Sequence, residues 1–288
     1  MSGMLPPPVD GERSEADGIA WWSAGAGPPL LLVHSVNAAA SAGEMRPVFD
    51  HARRRFRVHA VELPGFGSSR RGPRDYTPRL MTDALHTVAA AIARTDGDVP
   101  LDALALSLGC EFLARAALER PQRWRRLAFV SPTGFNGAVP RQGEPGSTRA
   151  VPGMLKILQV PLWSQALFAG LTRPSVVRYF LRRTWGSDRI DEGLADYSVR
   201  TAREPGARHA PLAFLSGGLF SADIHDVYQR LTQPVWMSHG VRGDFTDYRG
   251  KALFEDRPTW RFTVFPTGAL PYFEVPGEFA AAFDAFFD

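Results

Sequence analysis

The chain has 288 residues, 44% of them apolar and 22% charged, with a formal charge of +3; this is the balance of an ordinary globular protein long enough to bury a large core. Lys156 and Lys251 are the only lysines, and no dense basic stripe is interleaved with aromatics, so nucleic-acid binding is not expected. Cys110 is the only cysteine, which excludes an internal disulfide and a thiolate metal cluster.

Residues 1–18 are rich in proline, glycine and charge and read as a flexible arm. The stretch to Trp22 lacks the basic start and apolar run of a signal peptide. No apolar run approaches the ~20 residues of a membrane helix, so a cytoplasmic location without membrane insertion is expected. Short apolar runs then alternate with helical patterns, the signature of a parallel sheet with crossover helices. The clearest strand is Pro29–His34, where Leu30, Leu31, Leu32 and Val33 are unbroken, as suits a strand buried on both faces. Further strands are expected at Phe56–Leu63, Leu101–Leu106, Arg126–Ser131, Pro234–His239 and Trp260–Phe265. Helices are expected at Pro78–Ala93, Cys110–Glu119 and Glu278–Phe287. The rhythm changes after Ser131: from Thr133 to Ser221 there is no strand pattern, only helical segments near Val151–Gln159, Leu162–Leu171, Ser175–Trp185 and Asp188–Arg203. Pro140, Gly143, Pro145 and Gly146 mark the entry to this stretch. The domains expected are a core of 19–132 and 222–288 and a helical cap of 133–221.

The strongest local motif is Ala105-Leu106-Ser107-Leu108-Gly109, which lies between an expected strand and an expected helix. Small residues two before and two after a serine suit a sharp strand-to-helix turn that exposes the hydroxyl as a nucleophile. The turn would aim the Leu108 N–H at a developing oxyanion. Two other strand ends carry His34-Ser35-Val36-Asn37 and Glu62-Leu63-Pro64-Gly65-Phe66-Gly67-Ser68.

Together these stretches resemble the α/β-hydrolase superfamily, with its oxyanion loop, its Pro-Gly turn and its nucleophile elbow. Pro132, Pro234, Gly240 and Pro271-Tyr272-Phe273-Glu274-Val275-Pro276 extend the resemblance over residues 19–288. The resemblance implies an α/β fold: a mostly parallel sheet of about eight strands, flanked by helices and carrying a helical cap. It implies Ser107 as nucleophile, with an oxyanion hole from the N–H groups of Leu108 and Val36 and an added donor from Asn37. Ser35 stands where the family usually has glycine. Asp244, four residues after Gly240 instead of the usual three, matches the triad acid, with Asp247 as the nearby alternative and a plain turn carboxylate as the other reading.

The triad histidine is the departure. Aligning Pro271 and Glu274 with the family's closing stretch puts Ala269 at its position. A serine hydroxyl is a poor nucleophile without a neighbouring base, and loss of a triad histidine costs about 10⁶-fold in turnover. Three accounts stay open: an engineered replacement, a natural variant with different chemistry, or a base from elsewhere. For the last, His34, His239 and His209 are to be weighed, although the family's histidine at the position of His34 is structural. His51, His59, His86 and His225 fall on helix or strand surfaces. Glu111 suits the start of the elbow helix and can also line the site. The cap arginines Arg173, Arg178, Arg182, Arg183 and Arg189 are a solvated face or a site for an anionic substrate.

The expected function is a cofactor-free, metal-free serine hydrolase acting on a moderately apolar ester, thioester or related carbonyl compound, impaired by Ala269. The alternatives are a lyase, cyclase or decarboxylase that uses the oxyanion hole, and an inactive ligand-binding relative.

Overall fold

The computed structural model describes residues 5–139 and 143–288; Pro140 lies outside the described residues. Eight strands form one sheet: β1 (Glu12–Ala16), β2 (Ile19–Ala24), β3 (Pro29–Val33), β4 (Arg57–Val61), β5 (Leu101–Leu106), β6 (Trp124–Val130), β7 (Val235–His239) and β8 (Trp260–Val264). Their order is β1-β2-β4-β3-β5-β6-β7-β8. The first two run antiparallel to their neighbours and the remaining pairs are parallel.

The arm expected to be flexible is partly built into this sheet. Glu12–Ala16 pairs with Ile19–Ser23 across a turn at Asp17 and Gly18, both with positive φ. Val9 is buried, and the Tyr197 hydroxyl donates to the Pro6 carbonyl. Edge pairing supplies what a polar sequence does not advertise, because β1 buries no apolar face.

The central strands are buried on both faces, and their side chains alternate between two cores. Leu31, Val33, Ala103 and Ala105 join one core, beneath α2 (Pro78–Asp96) and α3 (Gly109–Glu119). Leu30, Leu32, Leu104 and Leu106 join the other, beneath α1 (Arg46–Ala52) and the terminal helix. Between β6 and β7 lie α4 (Met154–Leu158), α5 (Pro161–Leu171), α6 (Pro174–Trp185), α7 (Glu192–Thr201), α8 (His209–Leu215) and α9 (Ile224–Gln229). The chain closes with α10 (Pro271–Glu274) and α11 (Pro276–Phe287).

The helical insertion is docked at both ends and across its middle. A bridge pairs Thr148 with Ser221, and Gly146 N–H donates to Asp223, whose carboxylate also holds Arg115 of α3. Arg71 donates to the Thr201 carbonyl and hydroxyl, and Arg46 makes a two-oxygen contact with Asp191. Where α6 ends, Gly186 and Gly243 pass so closely that a Cβ on Gly243 would lie 2.4 Å from the Arg183 carbonyl. Both have positive φ, so glycine is required there on two counts.

Candidate active site

Ser107 sits where β5 turns into α3, at φ 53°, in the left-handed region that costs an ordinary residue about 1–2 kcal/mol. Its N–H donates to the Val130 carbonyl at 2.9 Å and its own carbonyl accepts from Cys110 N–H at 3.1 Å. The turn is therefore gripped by the neighbouring strand and by the helix it starts. A Cβ on Gly109 would lie 2.5 Å from the His34 carbonyl, which is why the residue two after the serine has no side chain. Strain that surrounding structure holds in place is a mark of functional turns.

The loop facing this turn is built from buried polar groups. Ser35 N–H donates to Glu44 at 2.9 Å. The Asn37 amide gives one hydrogen to Glu44 at 2.7 Å and one to Ser35 Oγ at 3.0 Å, while its oxygen accepts from Ala39 N–H. Asn37 was expected to add an oxyanion donor; instead both of its amide hydrogens are spent on holding the loop. Among the described residues the N–H groups of Val36 and Leu108 meet no acceptor. Buried backbone donors are rarely left unpaired, so these two N–H groups are available to an acceptor that the protein does not supply.

His34 is fully buried beneath this loop. Its Nδ1 donates to the Ser35 carbonyl at 2.5 Å and its Nε2 accepts from Leu63 N–H at 3.0 Å. Both nitrogens are committed, and burial depresses its pKa to about 4. It is a neutral strut that joins the end of β3 to the end of β4, and it has no lone pair to offer Ser107.

Among the described residues no histidine is hydrogen-bonded to the Ser107 hydroxyl. His51, His59 and His86 pair with Asp284, Asp96 and Glu119. His239 stacks on Tyr248 with ring centroids 4.1 Å apart, and its Nδ1 donates to the Gly240 carbonyl at 2.8 Å. Its Nε2 is buried without a partner, and burial lowers its pKa. His209 stands on α8 beside a surface concavity of about 310 Å³ that Ser107 does not line.

Ala269 lies in the loop between β8 and α10, which is tied to the residue after β6. Its carbonyl accepts from Ser131 Oγ at 2.7 Å, and Ser131 follows Val130, the residue bonded to Ser107. Its N–H donates to the Thr184 carbonyl at 3.0 Å, and its methyl is buried in the same apolar cluster as Trp185 and Leu270. Asp244, expected to orient a histidine at this position, is paired with an arginine. Arg183 of α6 grips both of its oxygens at 2.7 Å, and the pair is part-exposed. Asp247 is likewise engaged by Arg249 and by Gly137 N–H, which hold its carboxyl below the usual range.

Glu111, one turn along α3 from Ser107, is buried and joins the two ends of the insertion. The Thr133 hydroxyl lies 2.5 Å from one carboxylate oxygen, and Ser221 N–H donates to the other at 2.8 Å. Burial pushes its pKa up to about 7. The cap arginines are largely spent on ion pairs: Arg178 with Glu192 and Asp196, Arg182 with Asp188, and Arg183 with Asp244. Sequence reasoning gave no site role to Glu44, Thr133 or Ser131, and counted Arg183 only among the cap arginines. Glu44 alone carried a local signal, since Ser41 and Glu44 have the spacing of a capping box.

A family model described as alpha/beta hydrolase fold matches residues 28–179. The chain belongs to that family. Relatives within reach of sequence comparison include pimeloyl-[acyl-carrier protein] methyl ester esterases. That of Nitrosomonas europaea is 27% identical over 91% of this chain and 96% of its own length. That of Aeromonas salmonicida is 25% identical over 81% and 84%. Among solved structures, a serine hydrolase involved in carbazole degradation superposes with a TM-score of 0.76. It covers 96% of this alpha/beta hydrolase and 97% of that chain at 18% identity, a likeness of fold.

Proposed function

We propose that this alpha/beta hydrolase is an esterase-type enzyme that takes a small, moderately apolar carboxylic ester or thioester through Ser107. The observation that carries the reading is the strained elbow: a serine held at φ 53° with an unpaired hydroxyl, beside the two unpaired N–H groups of Val36 and Leu108. Maintaining a left-handed serine costs stability, and the conformation gains nothing unless the hydroxyl is presented to a ligand. Relatives named as methyl ester esterases support an ester as the bond attacked.

In this reading Ser107 Oγ attacks the carbonyl carbon, and the carbonyl oxygen becomes an oxyanion held by Leu108 and Val36. The serine proton then has no imidazole to receive it, because Ala269 stands at the base position and Asp244 faces Arg183. Acyl transfer is accordingly slow, and water has to carry the proton. The test is labelling by a serine-directed fluorophosphonate, with Ser107→Ala as control. Slow labelling confined to Ser107 supports the reading, and no labelling even at long exposure overturns it.

The absence of a histidine on Ser107 favours a second reading, in which the oxyanion hole stabilises an enolate without an acyl-enzyme. It predicts turnover that survives Ser107→Ala.

A further inference from the structure

The outer surface of the insertion carries an apolar tip that the hydrolase reading does not use. Helix α5, Pro-Leu-Trp-Ser-Gln-Ala-Leu-Phe-Ala-Gly-Leu, has no charged residue, yet only Ser164 and Phe168 are buried. Phe168 packs inward against Ala39 of the oxyanion loop region. Outward, Leu162 is 86% exposed, Ile157 58% and Trp163 43%. The Trp163 indole N–H donates to the Ile157 carbonyl at 3.0 Å, which joins α4 and α5 into one continuous patch. A helix apolar on both sides is ordinarily covered on both sides, and large exposed apolar patches mark interaction sites.

Charge identifies the partner. From Gly146 to Ser187 the chain has six basic residues and no acid; Arg178, Arg182 and Arg183 of these pair with acids from beyond that stretch. Lys156 and Arg173 flank the patch, and neither meets an acidic partner among the described residues. Beside it, the concavity at Gln159 adds Arg74, Arg208 and His209 against Asp75. An apolar tip carrying a tryptophan and rimmed by unpaired cations is the chemistry of a segment that lies in an anionic lipid interface. No helix among the described residues is long and apolar enough to cross a membrane, so the contact is peripheral.

We infer that the α4–α5 hairpin docks on an anionic lipid surface, with Ile157, Leu162 and Trp163 entering the interface and Lys156 and Arg173 facing the headgroups. This inference stands apart from the chemistry at Ser107. The experiment is sedimentation of the full chain with phosphatidylcholine vesicles, and with phosphatidylcholine vesicles containing phosphatidylglycerol. Binding is expected to the mixed vesicles and to be weaker in high salt. A Leu162→Ser/Trp163→Ser variant, altered only at exposed positions, should bind about tenfold more weakly. Each of Lys156→Gln and Arg173→Gln should cost about fivefold. Failure of the native chain to bind mixed vesicles overturns the inference. So does binding that the apolar variant leaves unchanged. Self-association in solution that the same variant abolishes also overturns it, since the patch then serves a second copy, and so does capture of an acidic soluble protein in preference to the vesicles.

Discussion

Ser131 Oγ donates to the Ala269 carbonyl at 2.7 Å, and this bond ties the loop that should carry the catalytic base to the strand beside the nucleophile. Ser131 is itself left-handed, at φ 46°, next to the residue whose carbonyl accepts the Ser107 N–H. Ala269→His is expected to raise turnover of short acyl esters by about 10²–10⁴-fold, the usual contribution of a positioned general base. The larger side chain enters a buried cluster, so a stability cost of about 1–3 kcal/mol is expected alongside the gain. Steady-state kinetics and thermal melts on the same preparation check both, and an idle Ala269→His variant that remains folded would sink the poised-site account.

Arg183 holds both oxygens of Asp244 and so competes with any histidine for that carboxylate. The double variant Ala269→His/Arg183→Gln is expected to exceed Ala269→His in kcat with little change in KM. The arginine is half-exposed, so its removal alone should cost little stability. Equal kcat in the two variants would assign Asp244 to docking of the insertion only.

Ser107→Gly should stabilise the fold by about 1 kcal/mol while abolishing fluorophosphonate labelling. Glycine accepts positive φ without penalty, and the serine hydroxyl has no partner to lose. For a chain of this size the melting temperature should rise by about 2 °C. A fall in the melting temperature would show that the turn is not strained.

Glu111 has its pKa raised to about 7 by burial. A carboxyl that binds its proton more tightly when folded favours the folded state while protonated. Its contribution is full below about pH 4.5, the unfolded value, and is lost as pH rises through about 7. The loss approaches about 3 kcal/mol. A glutamine side chain is isosteric with the protonated acid: its oxygen can accept from Ser221 N–H and its NH₂ can donate to the Thr133 hydroxyl. Glu111→Gln should therefore be the more stable protein at about pH 8 and show a flatter stability profile between about pH 5 and 7 in urea titrations. Parallel profiles for the two proteins would refute the coupling.

Gly243→Ala is expected to loosen the end of α6. Its Cβ would lie 2.4 Å from the Arg183 carbonyl and would force a side chain onto φ 87°. A loss of at least about 2 kcal/mol, with faster proteolysis within residues 143–220, is the expected outcome.

Local pattern determined a great deal here. The unbroken run Leu30-Leu31-Leu32-Val33 can be stable only between two cores, which made the central parallel sheet legible. The small residues around Ser107 can serve only a sharp turn, which made the elbow legible. The reading of Ala269 rests instead on the resemblance, aligned through Pro271 and Glu274.

What the sequence could not decide was where long side chains point once distant segments meet. Asn37 read as a donor because the resemblance put it at the oxyanion loop, yet Glu44, seven residues on, and Ser35 Oγ take its two amide hydrogens. Asp244 read as an acid because of its distance from Gly240, yet Arg183 lies 61 residues away and wins the carboxylate. The edge strand Glu12–Ala16 has no apolar alternation, and only its pairing with β2 makes it a strand. Periodicity and backbone sterics act between near neighbours and are written in local pattern. Hydrogen bonds and ion pairs of charged groups are settled by whichever partner the tertiary fold brings within about 3 Å, and that competition has no local signature.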